Sequence, residues 1–176
     1  MYRRILIALE GKETDEAVVT HVKRLAAQMN AEVTLLRVIT VADDDDGTGL
    51  ARQWQLEAGS SGWRRKNQAE SCLSQLERRL RQGGLRVETA LVIGTRSEAD
   101  EIVSWAAENN YDLIAMASDS RPWYARWIGG SPANDVQRKA TVPTLFVSDG
   151  TRTAPVARTA PKANTMMAIF GSNPCL

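Results

Sequence analysis

The sequence contains one group of residues suited to binding an anion. Gly130 and Ser131 precede Pro132, which is typical of a helix start with Ser131 as N-cap and Pro132 in the first turn. Free backbone amides and the helix dipole at such a position favour a phosphate group. Because most serine caps serve only the helix, Gly130 and Ser131 do not by themselves establish a phosphate site.

The residue types that usually perform covalent or acid–base catalysis are sparse. The chain has one histidine, His21, with no acid or nucleophile at a spacing that indicates a catalytic group. Cys72 and Cys175 are far apart and form no C-x-x-C motif, so the sequence predicts neither a zinc site nor a disulfide framework. These features favour a binding protein over an enzyme.

Two charged segments have compositions that can indicate a binding motif. The run Asp43–Asp46 precedes Gly47, but an EF-hand loop aligned on that glycine has Ala42 first and Gln53 twelfth, where calcium needs a carboxylate. A solvated acidic loop is therefore expected. The basic segments around Arg64 and Arg79 are interrupted by glutamates, and the net charge of +1 gives no attraction to nucleic acid.

Apolar strands alternate with amphipathic helices from the N-terminus to Ser148. The pattern predicts strands at 5–9, 32–39, 87–93, 112–117 and 143–147. It predicts helices at 13–29 and about 63–82, a third with Ser97 as its cap, and a fourth opened by Gly130-Ser131-Pro132. This alternation is typical of an α/β fold, a doubly wound parallel sheet of five strands with helices on both faces.

The length of 176 residues suits one domain, with 43% hydrophobic and 24% charged residues. We assign residues 1–148 to that domain and interpret 40–61 as a mobile acidic and glycine-containing loop. Residues 149–176, rich in Pro, Ala and Thr, are predicted to be a disordered tail. The first ten residues do not match a signal peptide, and no apolar run has membrane-spanning length, so a cytoplasmic protein without a membrane partner is expected.

Several segments together resemble the universal stress protein family over residues 1–148. They are Ile5–Gly11, Ala31–Val38, Tyr111–Ser118, Gly130-Ser131 and Val142–Val147. The resemblance implies the strand order 3-2-1-4-5. In nucleotide-binding members, an aspartate after the first strand and backbone after the second hold adenosine, and a G-x-x-G, nine-residue, G-[ST] pattern surrounds the ribose and phosphates.

Carried onto this chain, the resemblance implies a cofactor-binding set in which some residue types depart from the family pattern. The set is Ala8, Leu9, Glu10, Val38, Met116, Ala117, Ser120, Gly130, Ser131 and Pro132. Glu10 replaces the aspartate, and Ala117 and Ser120 stand where the pattern has glycines. Side chains at such positions restrict backbone approach to a ligand, and Pro132 lacks an amide for phosphate. The expected ligand is ATP or AMP, bound weakly, with magnesium present only if ATP binds.

The resemblance implies a stress-response regulatory or binding module that forms a homodimer through the last strand, Pro143–Val147. An apolar strand at the edge of a sheet is suited to pairing with a second copy. Two alternatives remain open at this point. One is a scaffold that binds unknown protein partners without nucleotide, and the other is a slow ATP hydrolase or autophosphorylating protein.

Overall fold

The computed structural model describes residues 1–40, 60–118 and 132–148. Within these residues, five strands alternate with four helices, and the predicted elements are all present with boundaries shifted by one or two residues. The elements are β1 Arg4–Leu9, α1 Asp15–Met29, β2 Glu32–Thr40, α2 Ser61–Gln82, β3 Arg86–Gly94, α3 Glu98–Glu108, β4 Leu113–Ala117, α4 Pro132–Lys139 and β5 Thr144–Val147.

The five strands form one parallel sheet in the order β3-β2-β1-β4-β5. The central strand β1 pairs with β2 on one side and β4 on the other, so that Ile5 lies opposite both Val33 and Leu113. This arrangement confirms the predicted doubly wound fold and its strand order. All strands consequently end at the same edge of the sheet, which is where open α/β sheets bind ligands.

The sheet is covered on both faces, which explains the nearly continuous apolar sequence of β1. Ile5, Ile7 and Leu9 pack with residues of α1 and α2. Leu6 and Ala8 point to the opposite face and pack with residues of α3 and α4. We refer to these two sides as the α1/α2 face and the α3/α4 face.

Local sequence signals place one end of each of three helices as predicted. The Ser97 hydroxyl caps α3 by accepting the backbone N–H of Asp100 at 3.2 Å. After α2, Gly84 has a φ of +83°, the left-handed conformation that glycine adopts without a Cβ penalty. Pro132 is the first residue of α4, the position in which proline's missing N–H is tolerated.

Some predictions concern residues outside the described ranges. These are residues 41–59 of the acidic loop predicted at 40–61, the tail at 149–176, and the candidate site residues Ser120, Gly130 and Ser131. The predicted loop is too long at both ends, because Thr40 is the last residue of β2 and Ser61 is the first residue of α2. In the described ranges, no helix is long and apolar enough to cross a membrane. The same ranges contain no group of three or more His, Cys, Asp or Glu residues able to hold a metal ion.

Candidate functional site

A cavity of about 330 Å³ lies at the C-terminal edge of β1 and β2, beside α2. Its volume is at the lower end of the range for small-molecule sites. The sheet and the chain after β1 contribute Leu9, Gly11, Arg37, Val38, Ile39 and Thr40; α1 contributes Asp15, Glu16 and Val19; α2 contributes Arg65, Gln68, Ala69, Cys72, Leu73 and Leu76; and α3 contributes Glu98. The wall therefore combines apolar side chains with a few charged groups, as ligand cavities commonly do.

The turn from β1 into α1 is held by the carboxylate of Asp15. Its Oδ2 accepts the backbone N–H groups of Gly11 at 2.7 Å and Lys12 at 3.2 Å, and its Oδ1 accepts that of Glu10 at 3.2 Å. Asp15 is only 4% exposed. Burial raises the pKa of this carboxyl, and the three N–H donors and the charge of Arg37 oppose that rise in part.

Arg37 extends from β2 toward this turn. Its Nη1 donates to the backbone carbonyl of Leu9 at 2.7 Å. Gly11 has a φ of +73°, and a Cβ added there would lie 3.1 Å from Nη2 of Arg37. Glycine at this position therefore lets the guanidinium pack directly against the backbone of the turn.

Glu98 is the first residue of α3 and lies on the opposite side of the strand ends from α1. Its side chain is half-buried and lines the cavity. Burial raises the pKa of this carboxyl, while the charge of Arg37 lowers it and that of Glu10 raises it further. Arg37, Glu10 and Glu98 are thus electrostatic neighbours.

The structure places the predicted ligand residues in three different environments. Leu9 and Val38 line the cavity. Ala8 and Met116 lie opposite each other on β1 and β4, but their side chains are 2% and 1% exposed and belong to the core of the α3/α4 face. Ala117 is 4% exposed and packs on the α1/α2 face.

Glu10 lies beside the cavity but is not part of its lining. Its side chain, 11% exposed, forms an ion pair with Lys12. A carboxylate already neutralised by a neighbouring ammonium group has less to gain from ligand hydroxyls than one without such a partner.

Three charged residues of this edge were missed at the level of sequence: Asp15, Arg37 and Glu98. Asp15 and Glu98 each lie in the first turn of a helix, where the helix dipole by itself accounts for an acid. Arg37 carried a usable signal, because it interrupts an apolar strand close to its C-terminal end. In a parallel sheet covered on both faces, a charge at that end must reach the ligand-binding edge or be buried.

The fold has counterparts among known proteins. The model of the universal stress protein family matches residues 1–148. This chain belongs to the universal stress protein family. The match covers every described element, so the family assignment and the observed sheet topology agree.

Among its relatives, the universal stress protein MJ0577 of Methanocaldococcus jannaschii is 28% identical over 160 residues, which span 84% of this chain and 95% of the relative. The solved structure of MJ0577 superposes with a TM-score of 0.65 at 26% identity, covering 86% of this chain and 99% of that one. The similarity therefore extends over nearly the whole of the archaeal protein.

Two further members of the family were solved with bound nucleotides. A universal stress protein in complex with cAMP has a TM-score of 0.60 and 17% identity, covering 83% of this chain and 96% of that one. A universal stress protein of Archaeoglobus fulgidus in complex with dAMP has a TM-score of 0.59 and 21% identity, covering 83% and 98%. At these identities, both comparisons establish the shared fold.

Proposed function

We propose that this chain is a regulatory binding module of the universal stress protein type that binds an adenine nucleotide, AMP or ATP, at the C-terminal edge of its sheet. The observation that carries the proposal is the cavity of about 330 Å³ between β1, β2 and α2. It lies where open α/β sheets bind ligands, and two proteins of the same fold were solved with cAMP and dAMP.

The lining of the cavity fits the parts of a nucleotide. Leu9, Val38 and Ile39 from the sheet and Leu73 and Leu76 from α2 provide apolar surface for the base. Arg37 and Glu98 provide a hydrogen-bond donor and an acceptor for polar groups of the ligand. Magnesium would accompany ATP and is not needed for AMP.

The same proposal includes a homodimer formed through β5. This strand is one edge of the sheet, and all four of its residues are half-buried in the chain by itself. Leu145 and Val147 pack against the α1/α2 face and Phe146 against the α3/α4 face, so the strand is held on both sides of the sheet, and no strand of the described residues pairs with its outer edge.

Protection of Cys72 from a thiol reagent tests the nucleotide site directly. Cys72 is half-buried and lines the cavity. In a Cys175→Ser background, bound AMP or ATP should slow modification of Cys72 in proportion to occupancy. As a matched control, a Ser74→Cys variant that also lacks Cys72 and Cys175 places a thiol on the same helix but outside the cavity lining, and nucleotide should leave its rate unchanged.

Mass spectrometry of protein purified without added nucleotide provides a second measurement. Release of AMP or ATP on denaturation supports the proposal. Absence of nucleotide in the purified protein, together with unprotected Cys72 at millimolar AMP and ATP, would contradict it.

A further inference from the structure

The chain leaves the sheet close to the cavity. Val147 and Ser148, at the end of β5, line a shallow groove against α1, and Glu16 in the first turn of α1 is part of the same groove. Glu16 also lines the cavity between β1, β2 and α2. Residues 149–176 therefore begin on the α1/α2 face, with only the first turn of α1 between their starting point and the cavity.

One part of residues 149–176 differs in composition from the rest. Two proline-containing hexads, 152–157 and 158–163, are followed by Met166-Met167-Ala168-Ile169-Phe170, which we call the apolar segment. Burial of apolar side chains is favourable by roughly 25 cal/mol per Å² of surface. Methionine side chains also adapt to irregular surfaces. The apolar segment is therefore the part of the tail that gains most from docking on an apolar surface.

The cavity provides such a surface within reach of the tail. Apolar side chains from β1, α1, β2 and α2 line it: Leu9, Val19, Val38, Ile39, Ala69, Leu73 and Leu76. Residues 149–165 connect Ser148 to the apolar segment and extend to at most about 55 Å. The first turn of α1 is the only barrier to cross, and a helix is about 10–12 Å wide. The connection is thus long enough by a wide margin.

We propose that the apolar segment docks in the cavity of its own chain, with Ile169 and Phe170 against the apolar wall, and thereby competes with the ligand. The docking does not depend on what the cavity binds. The competition rests on the proposed function and deepens it, because it makes the tail a regulator of the same site. A flexible connection gives an effective concentration in the millimolar range, so a weak contact is enough to populate the docked state.

The two cysteines of the chain are placed to report this contact. Cys72 is half-buried and lines the cavity beside Leu73. Cys175 follows Phe170 by a few residues, which span at most about 18 Å. Docking of the apolar segment therefore holds Cys175 near Cys72. A tail that is only tethered has no reason to prefer this half-buried thiol over an exposed one on the same helix.

Equilibration of the full chain in a glutathione buffer measures the contact. Forming the Cys72–Cys175 disulfide consumes two protein thiols and one oxidised glutathione and releases two reduced glutathione molecules. Its equilibrium constant is consequently the effective concentration of one thiol at the other. The wild-type value should exceed by about tenfold or more that of a variant carrying Cys72→Ser and Ser74→Cys. Ser74 lies on the same helix, exposed and outside the cavity lining.

A second variant removes the apolar contact without changing any described residue. Ile169→Asp combined with Phe170→Asp should lower the effective concentration to that of the Ser74→Cys control. In a Cys175→Ser background it should speed modification of Cys72 by a thiol reagent. It should also tighten AMP about two- to tenfold, because the docked fraction no longer blocks the cavity. Val156→Asp with Ala157→Asp adds the same charge to the tail outside the apolar segment and should leave all three values unchanged.

The outcomes separate the docking from the proposed function. A wild-type effective concentration no higher than that of the Ser74→Cys control, or unchanged by the Ile169 and Phe170 substitutions, overturns the docking. Covalent dimers as the main product overturn the contact within one chain and assign the apolar segment to the cavity of a second copy. Equal AMP affinity with and without these substitutions overturns the competition alone. No AMP binding by the doubly substituted chain overturns the proposed function, while the disulfide still decides the docking.

Discussion

The carboxylate of Asp15 accepts the backbone N–H of Gly11 at 2.7 Å and thereby closes the turn that leads from β1 into α1. The turn also contains Glu10 and Lys12, whose amides bond to the same carboxylate, and it borders the candidate ligand cavity. A buried acid that satisfies three consecutive amides fixes the shape of this edge before any ligand arrives.

Replacement of Asp15 by asparagine should destabilise the protein by about 1–3 kcal/mol, because the amide nitrogen would face a backbone donor. This loss of stability should depend on pH. Since burial raises the pKa of Asp15, the folded state holds the proton more tightly than the unfolded state. The advantage of wild type over Asp15→Asn should therefore be largest below the unfolded value of about 3.9 and should decrease as pH rises through the raised folded value.

Asp112 provides a control of opposite sign for this experiment. Its carboxylate accepts the backbone N–H groups of Arg3 at 2.7 Å and Arg4 at 2.9 Å, which lower its pKa. The advantage of wild type over Asp112→Asn should therefore be lost as pH falls. Urea denaturation of the three proteins across acidic pH measures both effects, and parallel curves for the two variants would contradict the assigned pKa directions.

Replacement of Gly11 by alanine should disturb both the turn and Arg37. The positive φ of +73° costs an alanine roughly 1 kcal/mol, and its Cβ would contact the guanidinium of Arg37. Gly84→Ala is a matched control, because Gly84 has a φ of +83° with nothing within 4 Å of the added Cβ. Both variants should lose stability in urea denaturation, but only Gly11→Ala should weaken AMP binding. Equal AMP affinity in the two variants would contradict a role for the Gly11–Arg37 contact.

A buried hydrogen bond between Tyr111 and Thr34 should contribute to stability across the sheet. The Tyr111 hydroxyl donates to Thr34 Oγ1 at 2.8 Å, and both residues are 6% exposed. Tyr111→Phe and Thr34→Val should each reduce the free energy of unfolding by about 1 kcal/mol, and the double variant should lose less than the sum. A strictly additive double-mutant cycle would show that the two hydroxyls do not interact in solution.

The proposed dimer depends on the open edge of β5. The Pro143 and Val147 carbonyls accept from the Ile114 and Ser118 amides of the β4 side, so the alternation along the strand points the backbone groups of Thr144 outward. Thr144→Pro removes an outward N–H and should give monomers in analytical ultracentrifugation while the circular dichroism spectrum stays native.

Leu145→Pro is the contrasting variant. The backbone N–H of Leu145 points toward β4, so its removal by proline should damage the fold itself. A Thr144→Pro variant that is folded and still dimeric would place the interface elsewhere.

The sequence by itself determined the elements and the sheet. The apolar run Ile5–Leu9, the cap at Ser97 and the left-handed Gly84 depend on hydrogen bonds and side-chain patterns among near neighbours, so they can be identified from spacing alone. The strand order could be anticipated because the segments together match the pattern of one family over residues 1–148.

Only the tertiary structure decided which charges form the site. Arg37 donates to a carbonyl 28 residues away, and Glu98 faces a cavity built from β1, β2 and α2. The carboxylate of Asp15 is buried and accepts backbone N–H groups, whereas that of Glu10 forms an ion pair with Lys12. This difference also depends on which backbone and side chains surround each carboxylate. Desolvation and Coulomb interactions are set by distances across the fold, which spacing along the chain does not specify.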